Sequence, residues 1–354
     1  ARAGPTIGAG GGFKGFMRAT EIDTRMLGMI GALLVIWVGF HILSGGTFLT
    51  PRNLWNLSVQ TASVGVMATG MVLVIVTRNI DLSVGSILGV TGMVMAVAQT
   101  QYISPYLGYD SGLVWIATLA VGLICGLLIG GLQGFVIAYL GVPAFIVTLA
   151  GMFFARGMAF LLSTASVPIN APLYDTLQDL YFRMPGGGRL TFIGMVMLAV
   201  FVFGMVLAHR TRFGRNVYAI GGNVQSAELM GVPVAATTIG IYALSSFLAG
   251  ISGIVFSIYT SAGYSLAAVG VELDAIASVV IGGTLLTGGS GFVAGTFLGI
   301  LVMGLIQTYI VFDGTLSSWW TKIVIGLLLF SFIVLQRGLV WFTERRANAA
   351  AAHA

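Results

Sequence analysis

The chain has 354 residues, of which 57% are hydrophobic and 8% charged, with 16 Lys and Arg against 11 Asp and Glu. Soluble domains carry about 25% charged residues, so water cannot be the solvent for most of this length, and the chain reads as an all-α integral membrane protein. The net charge of +5 is scattered over loops without interleaved aromatics, which excludes a nucleic-acid surface. The single cysteine, Cys125, excludes a disulfide framework, and His41, His209 and His353 lie too far apart for a metal centre. Lys14 follows Phe13 and Lys322 follows Thr321, so neither lysine completes the Gly-Lys-Ser/Thr phosphate loop of an ATPase. No acid/base pair or nucleophile–histidine set shares one depth, so no catalytic residue is expected.

A spanning helix needs about 20 apolar residues, and the pattern predicts about ten such segments: 27–43, 54–76, 83–98, 112–138, 143–162, 191–208, 238–260, 273–288, 291–312 and 319–336. The third and eighth are short enough to be partly re-entrant. Together they define a membrane domain over 27–340, flanked by a glycine-rich tail at 1–26 and an alanine-rich one at 341–354. The run from Leu27 has no small-residue cleavage site after it, so no cleavable signal is expected. With the N-terminus inside, most basic residues fall on the cytoplasmic side, among them Arg78, Arg210, Arg212, Arg215 and Arg337, while Arg52, Arg183 and Arg189 fall outside. An even number of helices then leaves both termini in the cytoplasm.

Glycine accounts for 51 residues, about twice the usual share. Gly122, Gly126, Gly130 and Gly134 recur every fourth residue, as do Gly291, Gly295 and Gly299. Small residues at this spacing allow helices to approach closely in lipid, where the hydrophobic effect cannot drive association. Packing within the chain and a dimer face are both open readings. Asp81 stands at the entry to the third segment and Asp274 at the entry to the eighth, on opposite sides by the assigned topology. That is the arrangement an inverted repeat of segments 2–5 and 7–10 produces.

Charges within or beside spans are costly and therefore informative. Arg78 and Asp81 read either as a local turn, with Asp81 capping the next helix and Arg78 marking the inner interface, or as functional groups. Arg156 either pairs with an acid or reaches carbonyls at a helix break near Gly157. Glu272 and Asp274 either cap the eighth segment externally or meet an arriving partner. The 209–237 connection is long and basic. Asn223 is placed to cap a short helix running to about Met230, with Gly231 as its stop and Pro233 beyond. Such a helix suits docking to a soluble partner, or resting on lipid headgroups.

These residues bring a family into view. The runs Ile80–Gly85, Val142–Met152, Phe213–Asn223 and Glu272–Thr284 resemble, in order, the permease subunits of bacterial ABC sugar importers of the ribose, xylose, arabinose and galactofuranose branch. Within that branch, Pro168–Asn170, Tyr174–Leu177, Pro185–Leu190 and Phe312–Lys322 are most similar to a permease of the galactofuranose importer. The resemblance implies a multi-pass protein of the bacterial inner membrane that binds no cofactor itself. It further implies three partners: a second, homologous permease forming a heterodimer, a cytoplasmic ATPase with two nucleotide-binding domains that holds ATP and Mg, and a periplasmic sugar-binding protein. The family's coupling segment corresponds to 209–237, with Asn223, Ala227, Glu228 and Gly231 as the matching residues. A polar, weakly binding path is then expected, and Gln60, Asn79, Asp81, Ser83, Ser86 and Arg156 are its candidate residues. The rival reading is an ion-coupled secondary sugar transporter, but such proteins use mid-span acids or histidines, and none stands mid-span here.

Overall fold

The computed structural model describes residues 24–352 apart from 110, 170, 315, 316 and 318. The expected N-terminal tail lies almost wholly outside the described residues. Among those described the helices are α1 (Thr24–Leu43), α2 (Pro51–Val76), α3 (Val84–Leu107), α4 (Gly112–Leu140), α5 (Ala144–Leu162), α6 (Pro172–Asp179), α7 (Phe192–Arg210), α8 (Arg212–Gly222), α9 (Val224–Leu229), α10 (Val234–Thr260), α11 (Val271–Ile281), α12 (Val293–Asp313) and α13 (Trp319–Ala352). Seven of them (α2, α3, α4, α5, α7, α10 and α12) are long and apolar enough to cross a membrane, and shorter apolar stretches occupy 28–43 and 319–334.

One of the expected boundaries needs correction. The third segment is not re-entrant but runs 24 residues as α3, because the polar run Gln99–Gln101 winds into a wide π turn instead of ending the helix. At the alanine-rich end α13 stays helical to Ala352. The eighth segment is a helix of only 11 residues, α11. At 1.5 Å per residue it rises about 16 Å, half of a hydrocarbon core.

Helix directions follow from side-chain neighbours. Gly70 of α2 faces Ser245 of α10, while the Ser252 hydroxyl donates to the Ser63 carbonyl at 2.6 Å, so the two helices are antiparallel. Gly194, Gly65 and Gly204 meet Ser58, Phe201 and Thr69, so α2 and α7 run parallel. The C-terminal ends of α2 and α7 and the start of α10 therefore share one face, here called the connector face because α8 and α9 lie on it. The opposite, far face carries α6 and the hairpin of β2 (Tyr181–Arg183) with β3 (Arg189–Thr191), whose turn at Gly186–Gly188 rests on Pro51. The strand β1 (Val167–Pro168) pairs antiparallel with β4 (Ala262–Gly263), fastening the segment after α5 to the one after α10.

Burial separates centre from periphery: 78% of the spanning window is buried in both α2 and α3, against 22% in α4 and 28% in α5. The buried part of α4 is largely its glycine stripe. Gly122, Gly126, Gly130 and Gly134 lie against Gly250, Ser246, Tyr242 and Ile239 of α10, and Gly295 and Gly299 lie against Gly282 and Ser278. Both stripes are packing surfaces within the chain. A Cβ at Gly126 would sit 2.8 Å from the Ser246 carbonyl, whereas Gly131 has nothing within 4 Å. Gly126→Val is therefore expected to cost about 1–3 kcal/mol by overpacking and to lower the thermal midpoint of the detergent-solubilised protein. Gly131→Val, on the open side of the same helix, should leave it unchanged.

Helices α2 and α10 are followed by breaks, at 77–83 and at 261–270, and each break leads into a new helix. Gly85 at the start of α3 abuts the carboxylate of Glu272 at the start of α11. The broken helices thus meet N-terminus to N-terminus inside the bundle, the geometry expected of two halves with opposite direction.

Candidate coupling and translocation site

The connector between α7 and α10 is built from capping residues. Thr211 accepts from the Gly214 amide at 3.2 Å and starts α8, whose Gly214, Val217, Ile220 and Gly221 are buried. This helix was not foreseen; its buried spacing could have revealed it. Asn223 Oδ1 accepts from the Ser226 amide at 2.8 Å and caps α9. At the other end Gly231 takes φ +80°, a left-handed conformation suited to glycine, while its amide donates to the Glu228 carbonyl and that of Val232 donates to Ala227. The four residues read from the sequence therefore divide their work. Asn223 and Gly231 bound the helix, Ala227 is fully buried beneath it, and Glu228 is exposed. Beside Glu228 project Leu229, 90% exposed, and Met230, 72% exposed, two apolar side chains that the capping pattern did not single out.

Arg78 and Asp81 do not act as one turn. Arg78 points outward to α8, whereas Asp81 is fully buried. Asp81 Oδ1 accepts from the Ser83 amide at 2.9 Å and from the Ser83 hydroxyl at 2.6 Å, and its Oδ2 accepts from the Ser245 hydroxyl at 2.9 Å. The Ser83 hydroxyl also lies 3.1 Å from Gln133 Oε1, and the Thr148 hydroxyl donates to the Ile80 carbonyl at 3.3 Å. Elements α4, α5 and α10 thereby hold the 77–83 break from three sides. Ser245 lies about 16 Å along α10 from its first residue, so this cluster is well inside the apolar layer, which corrects the expectation that no acid stands mid-span. Gln133 and Ser245 were missed, although a glutamine in the middle of an apolar segment is itself a signal.

The candidate path residues are not gathered at one surface. Ser83 and Ser86 are buried with Asp81 in the interior, and Asn79 is half-buried with its amide on the Thr77 carbonyl at 3.1 Å. Gln60 is exposed near the far face, where its Oε1 accepts from the Thr308 hydroxyl at 2.8 Å. It lines a cavity of about 300 Å³ together with Trp55, Asn56, Gln178 and Tyr259.

Arg156 reaches carbonyls, but not at a break near Gly157, because α5 is continuous there. Its Nη1 donates to the carbonyls of Ser265 at 2.8 Å and Ala267 at 2.7 Å, holding the 261–270 segment. Asp274 is only 5% exposed and takes both its oxygens to Lys322 Nζ, at 3.0 and 2.9 Å. The N-cap of α11 is Gly270, with no side-chain cap, so Asp274 neither caps that helix nor stands at an external surface. Its neighbour Glu272 faces Gly85 within the bundle.

A chain of broken helices around a buried polar break, with a capped helix projecting from one face, is the architecture of a membrane transport subunit. Residues 53–333 match the family described as branched-chain amino acid transport system / permease component, and the chain belongs to that family. Among curated proteins it is 56% identical over 303 residues to the inner membrane ABC transporter permease protein YjfF of Escherichia coli K12, covering 85% of this chain and 88% of that one. It is 36% identical to the fructose import permease protein FruG of Bifidobacterium longum, over 92% of this chain and 94% of the relative. It is also 37% identical to the ribose import permease protein RbsC of E. coli K12, over 83% and 88%. No solved structure matches it. The resemblance to sugar-importer permeases read from the motifs is borne out by these relatives.

Proposed function

We propose that this chain is one permease of an ABC importer for a monosaccharide, galactofuranose, and that it forms part of the translocation path by alternating access. The observation that carries the reading is the α9 helix: capped at both ends, seated by Ala227, and offering Glu228, Leu229 and Met230 to solvent. A short rigid helix ending in two exposed apolar side chains fits a groove on a soluble partner better than a headgroup layer, where a basic face is required. The partner is an ATPase carrying ATP and Mg on the cytoplasmic side, which places the connector face and both termini inside. A binding protein docks at the far face, and a second, homologous permease completes the channel. Supply of affinity by the binding protein leaves the path needing only neutral, weakly binding walls. The cavity of aromatic rings and amides around Gln60 has that character and suits sugar hydroxyls.

The test is uptake into proteoliposomes containing this chain, its co-purifying permease and ATPase, and the binding protein. Labelled galactofuranose is expected to accumulate only with internal ATP and to be outcompeted poorly by ribose, xylose or fructose. Uptake without the ATPase that collapses on adding an uncoupler would refute the importer reading in favour of ion coupling. Equal uptake of ribose would refute the sugar assignment alone.

A further inference from the structure

The proposed coupling helix and the buried break at 77–83 are separate features of the chain, and one side chain bridges them. Arg78 follows the end of α2 and takes φ +66°, an unfavourable conformation for a residue with a side chain. In that conformation its guanidinium leaves the break and crosses to α8. There Nε donates to the Gly221 carbonyl at 2.9 Å and Nη2 donates to the Gly222 carbonyl. These are the last carbonyls of α8, unpaired within the helix and at its negative end, so an arginine fork suits them in charge and in shape. Asn223, the cap of α9, is the next residue. Three residues beyond Arg78 in the other direction is Asp81, which anchors the start of α3 through Ser83 and Ser245.

The same end of α8 also grips the second half of the fold. The Tyr218 hydroxyl donates to the Gly291 carbonyl at 2.6 Å, and the Gly289 amide donates to the Val76 carbonyl at 2.8 Å. Gly221 is packed so closely on Gly289 that a Cβ there would lie 2.9 Å from its amide nitrogen. The 282–292 turn continues from α11, the helix whose other end meets α3 at Gly85. A displacement of α8 and α9 therefore reaches both broken helices through hydrogen bonds, not through the lipid-facing packing of α4 and α5.

We propose that Arg78 is the joint of the permease, a positioning residue that passes motion of the α8–α9 connector to the 77–83 break and so to the paired starts of α3 and α11. This rests on α9 being the site of ATPase docking. It goes beyond that reading by naming how docking is felt inside the membrane. Two carbonyl bonds from a partly exposed guanidinium are strong enough to transmit a pull and weak enough to re-form in a second arrangement.

The experiment compares Arg78→Ala, Arg78→Lys and Tyr218→Phe in the complete reconstituted importer, measuring sugar taken up per ATP hydrolysed. Arg78→Ala is expected to keep the ATPase bound and active but to lower that ratio about tenfold, the effect of losing charge-assisted hydrogen bonds. Arg78→Lys should recover part of it, since an ammonium reaches one carbonyl but cannot span two. Tyr218→Phe, which removes a single hydroxyl, should lower the ratio less. A merely structural role would reduce uptake and hydrolysis together and leave the ratio at the wild-type value, and that result overturns the proposal. Should Arg78→Ala fail to assemble, the ratio in the other two variants decides: unchanged in both, the joint is refuted. A wild-type complex with no ATP-driven uptake would instead refute the importer reading on which the joint rests.

Discussion

Replacing Leu229 and Met230 together by aspartate is expected to abolish ATP-driven uptake while leaving the protein inserted and folded. Both side chains project from the connector face, 90% and 72% exposed, and make up the apolar end of α9. Burying a side chain of this size against a partner contributes about 1.5–3 kcal/mol. Losing two such contacts, about 4 kcal/mol, weakens capture of the ATPase about a thousandfold. The helix itself survives, because its cap at Asn223 and its stop at Gly231 are untouched. Pull-down from detergent-solubilised membranes should recover the variant at normal yield but without the ATPase. Removal of 224–229 should have the same outcome. If either change leaves ATPase recovery and uptake at wild-type levels, docking occurs elsewhere and the coupling role of Asn223, Ala227, Glu228 and Gly231 is wrong.

The second large effect is on stability. Asp81→Ala removes the acceptor for the Ser83 amide, the Ser83 hydroxyl and the Ser245 hydroxyl, all in a fully buried site. Stranded buried donors cost about 1–3 kcal/mol each, although interhelical hydrogen bonds in membrane proteins average about 0.6 kcal/mol because the unfolded chain also finds partners in lipid. A net loss of about 3 kcal/mol follows, with α3 released from α10. Asp81→Asn should be much milder. Its amide oxygen can still accept from Ser83, and its NH₂ can donate to the Ser245 hydroxyl, which rotates to accept. Thermal stability of the solubilised protein, followed by size-exclusion chromatography, separates the cases. Alanine and asparagine variants of equal stability would mean that Asp81 does not hold the break.

Much of this organisation was legible residue by residue. The capped α9 was readable because Asn223, Gly231 and Pro233 act on their immediate neighbours, so their spacing alone bounds a helix. The glycine stripe of α4 was readable as a close-packing surface because its period matches one helix face. What covers it was not readable, since a second chain and a helix of the same chain both favour small residues there. Asp81 was readable as a helix-entry residue, yet its tie to Ser245 was not. The length of α3 was misjudged because a polar run such as Gln99–Gln101 ends an apolar segment in one dimension, while a π turn can carry it onward. Asp274 looked like an external acid because position along the chain says nothing about a lysine 48 residues away.

By itself, then, the sequence determined the solvent, the helical class, the order of most spans, the connector and the permease family. The family followed from the resemblance of its motifs; the rest follow from hydropathy and capping, which act over a few residues. Only the tertiary structure decided that α11 is a half-length helix starting beside α3, that Asp81 is tied to Ser245 of α10 within a break held by three helices, and that Arg78 grips α8. Those facts depend on backbone carbonyls and on depth within the bundle. Every residue carries a carbonyl, so nothing in the letters marks which one a distant arginine will reach. The scarcity of charge that first pointed to lipid also explains the economy of the interior, where a few polar side chains locate the breaks that the apolar helices surround.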